Sequence, residues 1–147
     1  MRKILFQLFS SILLLGFFYA GSDKLDLNKY EHNVTIYRDI WGVPHIYGKT
    51  DADAAFGLAY AHAEDDFKTI QEVLIALRGK SASIYGKDAA PIDYLVGLLK
   101  VWETVDNNYE TALSKEVKAV CDGYANGINR YIEKFPSKVE KEIYPVS

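Results

Sequence analysis

Apolar and polar positions alternate from Asn33 to Arg38, with Val34 and Ile36 on one side and Thr35 and Tyr37 on the other. That period of two predicts a half-buried strand. Asp39-Ile40-Trp41-Gly42 supplies turn chemistry, and Val43 to Tyr47 forms a second extended segment. Pro44 has no N–H for a ladder hydrogen bond, which places this segment at a sheet edge. The pair predicts a β-hairpin.

The period then changes. Thr50 can cap free backbone amides, and Asp51 and Asp53 fall in a first turn, where the helix dipole favours acids. Ala54, Ala55, Leu58 and Ala61, then Phe67, Ile70, Val73, Leu74 and Leu77, recur at spacings of three and four. They predict one long helix to Arg78, stopped by Gly79, with a break where His62 and Glu64 to Asp66 interrupt the stripe. Lys80 to Tyr85 reads as a short helical turn ended by Gly86, and Pro91 to Leu99 as a brief apolar helix. A polar stretch containing Asp106-Asn107-Asn108 follows. Ser114 then caps a second strong helix with the stripe Val117, Val120, Cys121, Tyr124, Ala125, Ile128, Tyr131 and Ile132, closed by Pro136. Asp23 to His32 reads as an exposed polar lead-in.

Met1, Arg2 and Lys3 precede an almost wholly apolar run from Ile4 to Ala20, and Ala20-Gly21-Ser22 offers small residues before Asp23. Residues 1–22 therefore read as a secretory signal peptide, cut after Ser22, with a cut after Ala20 as the alternative. Gln7, Ser10 and Ser11 interrupt the run and disfavour a permanent membrane anchor. No Cys near the cut invites lipid attachment. The expected location is periplasmic or secreted. Losing Arg2 and Lys3 moves the formal charge from −3 to −5, 15 basic against 20 acidic residues, which excludes nucleic acid as the natural partner. Residues 23–147 form one domain or part of one, and in a chain that is 49% hydrophobic as a whole they have the material for a core. The eleven tyrosines and two tryptophans suggest surfaces against which another body packs.

Candidate chemistry is sparse. Cys121 has no partner for a disulfide and lies on a helical stripe, so its ordinary reading is a buried structural thiol rather than a nucleophile. His32, His45 and His62 lack metal-ligand spacing. Glu64, Asp65 and Asp66 could work as an acid/base pair or bind a cation, but such a run more often forms a solvated face or an ion pair. Trp41 and His45 share a hairpin edge, and either support packing or help to shape a cleft. Gly123 and Gly127 form a small face that permits close helix approach, read here as packing on the first long helix.

Four segments stand in a recognisable order: Arg38-Asp39-Ile40-Trp41-Gly42-Val43-Pro44-His45-Ile46, Phe56-Gly57-Leu58-Ala59-Tyr60-Ala61-His62-Ala63-Glu64-Asp65, Arg78-Gly79 with Ala82 and Gly86, and Gly123-Tyr124-Ala125-Asn126-Gly127-Ile128-Asn129. Together they resemble the start of the α chain in the penicillin acylase family, over roughly Val34 to Pro145. The resemblance implies an α+β, mainly helical chain, a fragment of the αββα N-terminal-nucleophile hydrolase fold. It implies hydrolysis of the amide bond in N-acyl compounds, either β-lactam side chains or acyl-homoserine lactones, with Arg78-Gly79 and Ser81 to Gly86 somewhat closer to the latter branch. In that family the nucleophile is the N-terminal Ser of a β chain, its own α-amine serving as base because an α-amine has a pKa of about 8.

The family's oxyanion donors and most ligands of its structural calcium also belong to the β chain, and Tyr144-Pro145 corresponds to a point before the remaining α-chain ligand. The expectation is therefore no catalytic residue, no metal ligand and no cofactor in this chain, and an unknown set of substrate-binding residues. Gly21-Ser22, the chain's sole Gly-Ser dipeptide, lies upstream of every family segment and is not a processing junction. The family Glu-Asp, here Glu64-Asp65, is expected to be structural, tied to backbone amides or to an Arg such as Arg78. The expected partners are a β chain or downstream part of a precursor, and a small N-acyl substrate in the complete enzyme. The alternative is a non-catalytic exported helical interaction module.

Overall fold

The computed structural model describes residues 28–139; residues 1–22, which the sequence reads as a signal peptide, the Asp23 end of the lead-in and Tyr144-Pro145 lie outside the described residues. The described chain is mainly helical with one antiparallel two-stranded sheet. In order it runs α1 (Asn28–Glu31), β1 (Val34–Arg38), β2 (Pro44–Gly48), α2 (Asp51–Leu77), α3 (Ser81–Tyr85), α4 (Ala90–Leu98), α5 (Val101–Ala112) and α6 (Lys115–Lys134).

The strands pair in the register Ile36↔Ile46 and Tyr37↔His45, as the alternation requires. Val34, Ile36 and Ile46 form the inner face, which sits on Gly57 of α2. A methyl there would lie 2.6 Å from Val34 Cγ1 and 2.8 Å from Ile46 Cγ2, so only glycine lets the hairpin come so close.

A reciprocal capping box starts α2: Thr50 Oγ1 accepts from the Asp53 N–H at 3.2 Å, and the Asp53 carboxylate accepts from the Thr50 N–H at 3.0 Å. The expected break is at Asp66, whose φ and ψ are −151° and 67°. Its side chain accepts from the Thr69 N–H at 3.1 Å, so Asp66 caps the second half of the helix and gives the kink a specific cause. Ser114 caps α6 in the same way through the Val117 N–H.

The core lies between α2 and α6. Ala59, Ala63, Phe67 and Ile75 meet Ile128, Tyr131 and Ile132, with the Phe67 and Tyr131 rings 4.9 Å apart. The two helices run in the same sense, because Gly123 abuts Ala52 and Gly127 abuts Phe56 and Ala59.

Several expectations need correction. The lead-in carries α1, and Tyr30 is buried, stacked on Phe56 at 5.3 Å. One aromatic in a polar stretch produces no periodicity, so only its tertiary partner reveals it. The polar stretch before Ser114 is α5, tied down at its start by Trp102, whose indole N–H donates to the Leu77 carbonyl at 2.7 Å. Cys121 is exposed, not buried. It lies just before Gly123, which is level with the first turn of α2, so this end of the α6 stripe has outrun its partner, and Val117 is also exposed. Leu58, Val73 and Leu77 are exposed as well, although they belong to the α2 stripe.

Candidate functional site

The hairpin turn is built around the Asp39 carboxylate. It accepts from the backbone N–H of Trp41 at 2.8 Å and of Val43 at 3.0 Å, and its other oxygen stands 3.3 Å from His45 Nε2. Gly42 completes the turn at φ +81°, a left-handed conformation that a side chain would strain. Burial pushes the Asp39 carboxyl up, but the hydrogen bonds from His45, Trp41 and Val43 outweigh it and hold the group below its ordinary value. The result is a fixed turn that presents Ile40 at 89% exposure and Trp41 at 83%.

Arg38, at the end of β1, fastens this turn to the α2 kink. One guanidinium nitrogen donates to the Gly42 carbonyl at 2.9 Å, and the other makes ion pairs with Glu64 at 3.2 Å and Asp65 at 2.8 Å. The same fork reaches the Ala61 carbonyl at 3.4 Å. Only arginine has enough donors in a rigid plane to serve a turn and two carboxylates at once. The Glu-Asp pair is thus structural as expected, but its partner is Arg38, not Arg78. Asp66 performs a separate task, and its carboxyl is held low by the hydrogen bonds from Thr69.

Asp39 yields a pH prediction. Because its folded value is depressed, its contribution is complete above the ordinary carboxylate value of about 3.9 and is lost as pH falls through the folded value. In a ¹³C titration Asp39 should protonate at lower pH than a random-coil aspartate, with the Trp41 and Val43 amide signals moving in step. Titration at or above the random-coil value would show that the turn is not held by this carboxylate.

The remaining candidates are dispersed. His62 Nδ1 stands 3.3 Å from the Tyr124 hydroxyl, joining α2 to α6. His45 meets Asp39, and His32 lies in the turn before β1. Neither histidine pairing places a base on a Ser, Thr or Cys, and among the described residues no three His, Cys, Asp or Glu side chains could jointly hold a metal ion. Gly123 and Gly127 pack on α2, as their spacing predicts. Asp93 of α4 has a role that no local pattern signals: its carboxylate accepts from the N–H groups of Ser81 and Ala82, both at 2.8 Å, and so caps α3. Glu31 is likewise joined across the fold to Arg130 and Lys134 of α6. The quoted sequence segments therefore meet in space as a scaffold: the Arg38 segment grips Glu64-Asp65, and the Gly123 segment supports the helix that carries them.

Comparison with known proteins identifies the family. The model of the penicillin amidase family matches residues 33–146. The chain is 30% identical over 111 residues to the acyl-homoserine lactone acylase QuiP of Pseudomonas fluorescens, covering 76% of this chain and 14% of that protein. It is 32% identical over 111 residues to the penicillin acylase 2 proenzyme of a Pseudomonas species, with coverage of 76% and 14%. Against penicillin G acylase of Escherichia coli it is 29% identical over 107 residues, covering 73% and 12%. The chain thus spans about one seventh of the curated relatives' length. Among solved structures, the thermostable penicillin G acylase from Alcaligenes faecalis superposes with a TM-score of 0.59 at 26% identity, over 75% of this chain and 60% of the matched chain.

Proposed function

The chain belongs to the penicillin amidase family, and from that premise we propose that it forms the N-terminal scaffold of the α chain in an exported amidase that hydrolyses N-acyl compounds. The observation that carries this reading is the family match across residues 33–146. The substrate class follows from the relatives, some named as penicillin acylases and others as acyl-homoserine lactone acylases. An amide with an apolar acyl group is common to both.

In this reading the described residues supply support, and the chemistry comes from a β chain of the αββα fold: a Ser nucleophile, its α-amine as base, the oxyanion donors and the calcium ligands. The division of labour is chemically coherent, since an amide carbonyl needs a nucleophile with a base in hydrogen-bond reach, and His45 and His62 are committed to Asp39 and Tyr124. The β chain has surfaces on which to dock. The Arg38 clamp holds Trp41 and Ile40 outward, while Tyr94, Leu95, Leu98 and Leu99 of the α4 region are exposed. Exposed apolar groups on a rigid frame suit a permanent interface. Residues 1–22 serve in this proposal as the export signal to the periplasm or beyond.

The test is hydrolysis of penicillin G and of an N-acyl-homoserine lactone, by the chain alone and by the chain co-produced with a family β chain encoded alongside it. Alone it should be inactive, should bind a hydrophobic dye and should self-associate; with the β chain it should form a stable complex and release the acid. Turnover by the chain alone would overturn the assignment of the nucleophile. A monomer that binds no dye and ignores the β chain would establish the interaction-module reading instead.

A further inference from the structure

A cavity of about 190 Å³ lies beneath the hairpin, apart from the Arg38 clamp, between Val34 and Ile36 of β1, Phe56 and Tyr60 of α2, and a charged rim of Glu31, Arg130 and Lys134. It opens to solvent on the side of that rim. It has room for an aryl ring or a short alkyl chain with a few further atoms, and its walls are aliphatic and aromatic carbon.

The rim sets the sign of the head group. The terminal nitrogens of Arg130 are taken by Glu31 and, at 3.2 Å, by Glu133, while its buried Nε has no partner among the described residues and adds a second donor to the rim. Glu31 is in turn held by Arg130, which leaves it a poor receptor for a ligand cation. Lys134 is different: its ammonium stands 3.6 Å from Glu31, longer than a charge-assisted hydrogen bond, and 4.9 Å from the centre of the Tyr60 ring. Of its three donors, none has a short partner among these contacts. An apolar slot with a half-exposed ammonium at its mouth fits a small monocarboxylate, its tail against Ile36 and Phe56 and its carboxylate on Lys134.

We propose that this cavity is a binding site for short alkyl or aryl carboxylates, anchored by Lys134. The ligand class follows from the cavity alone. If the amidase reading also holds, the acid released from an N-acyl amide has this chemistry, and the site would sense product; that last point rests on the proposed function.

The test is NMR titration of the full chain with hexanoate and phenylacetate, using hexanamide, phenylacetamide and hexylammonium as matched controls. Saturable shifts should be confined to Val34, Ile36, Phe56 and Tyr60, with the amides at least about tenfold weaker and the ammonium silent, because the charged contact roughly doubles the strength of the head-group hydrogen bond. Lys134→Gln lies in the last turn of α6 on a half-exposed side chain, so it should fold, and it should weaken the acids to the level of the amides. Ile36→Phe should abolish binding by filling the slot. Non-saturable shifts, shifts spread over the exposed α4 face, or acids unaffected by Lys134→Gln would overturn the proposal. Because the readout is binding to this chain, its failure leaves the amidase assay untouched, and failure of the amidase assay leaves this result standing.

Discussion

Gly127→Val is expected to destabilise the chain by about 3 kcal/mol, the upper part of the range for overpacking a close contact. An added Cβ at Gly127 would press into the carbonyl oxygen of Phe56 and lie 2.7 Å from Ala59 Cβ. The first obstacle is backbone, which cannot rotate away as a side chain would, so α2 and α6 must part. Moving them apart loosens Ile128 and Tyr131 against Ala59, Ala63 and Phe67, the middle of the core. Helix propensity acts in the opposite direction, since glycine is about 1 kcal/mol worse than alanine inside a helix, but that gain is smaller than the steric loss. Gly97 in α4 separates the two effects. A Cβ there meets nothing within 4 Å, and Gly97→Ala should be stabilising by several tenths of a kcal/mol. The measurement is urea unfolding of both variants. A Gly127→Val variant that loses less than about 1 kcal/mol would mean that the two helices do not meet at this face.

Ile75→Ala is expected to cost about 3 kcal/mol, in the range for removing a buried aliphatic side chain and leaving a partly unfilled cavity. Ile75 is fully buried, although it lies beyond the Asp66 break and its neighbours Val73 and Leu77 are half exposed. With Phe67 it ties the second half of α2 to the core. A full loss, seen equally by fluorescence and by circular dichroism, would show that both halves of the kinked helix unfold as one unit. Leu77→Ala is the control and should change stability by no more than about 0.5 kcal/mol. If Ile75→Ala also falls within that limit, the second half of α2 is a separate, weakly held segment.

These two residues illustrate what periodicity can and cannot tell. Ile75 is absent from the α2 stripe that the spacing selects, whereas Leu58, Val73 and Leu77 belong to it and are exposed. Beyond Asp66 the buried positions are Phe67, Gln71 and Ile75, four apart, and the polar Gln71 hides that face from a reading by hydrophobicity; Leu58 lies before the break, on a face of the first half that no partner among the described residues covers. On α6 the stripe is correct from Tyr124 onward and fails at Cys121, because the partner helix begins only level with Gly123. The Arg38 clamp shows the same division. Its acids stand out as a run, and an ion pair is their ordinary use, but which arginine serves them depends on how the hairpin lies on α2.

The sequence alone was sufficient for local matters: the hairpin, the caps at Thr50 and Ser114, the break near the acids, the small face at Gly123 and Gly127, and the family. Each depends on residues a few positions apart, whose hydrogen bonds and steric limits act within one element. Tertiary structure decided which face of each helix finds a partner, that Tyr30 and Asp93 do remote work, that Arg38 takes Glu64 and Asp65, and where apolar surface stays open. Those outcomes depend on the relative placement of segments tens of residues apart, and burial is a property of the neighbour as much as of the residue.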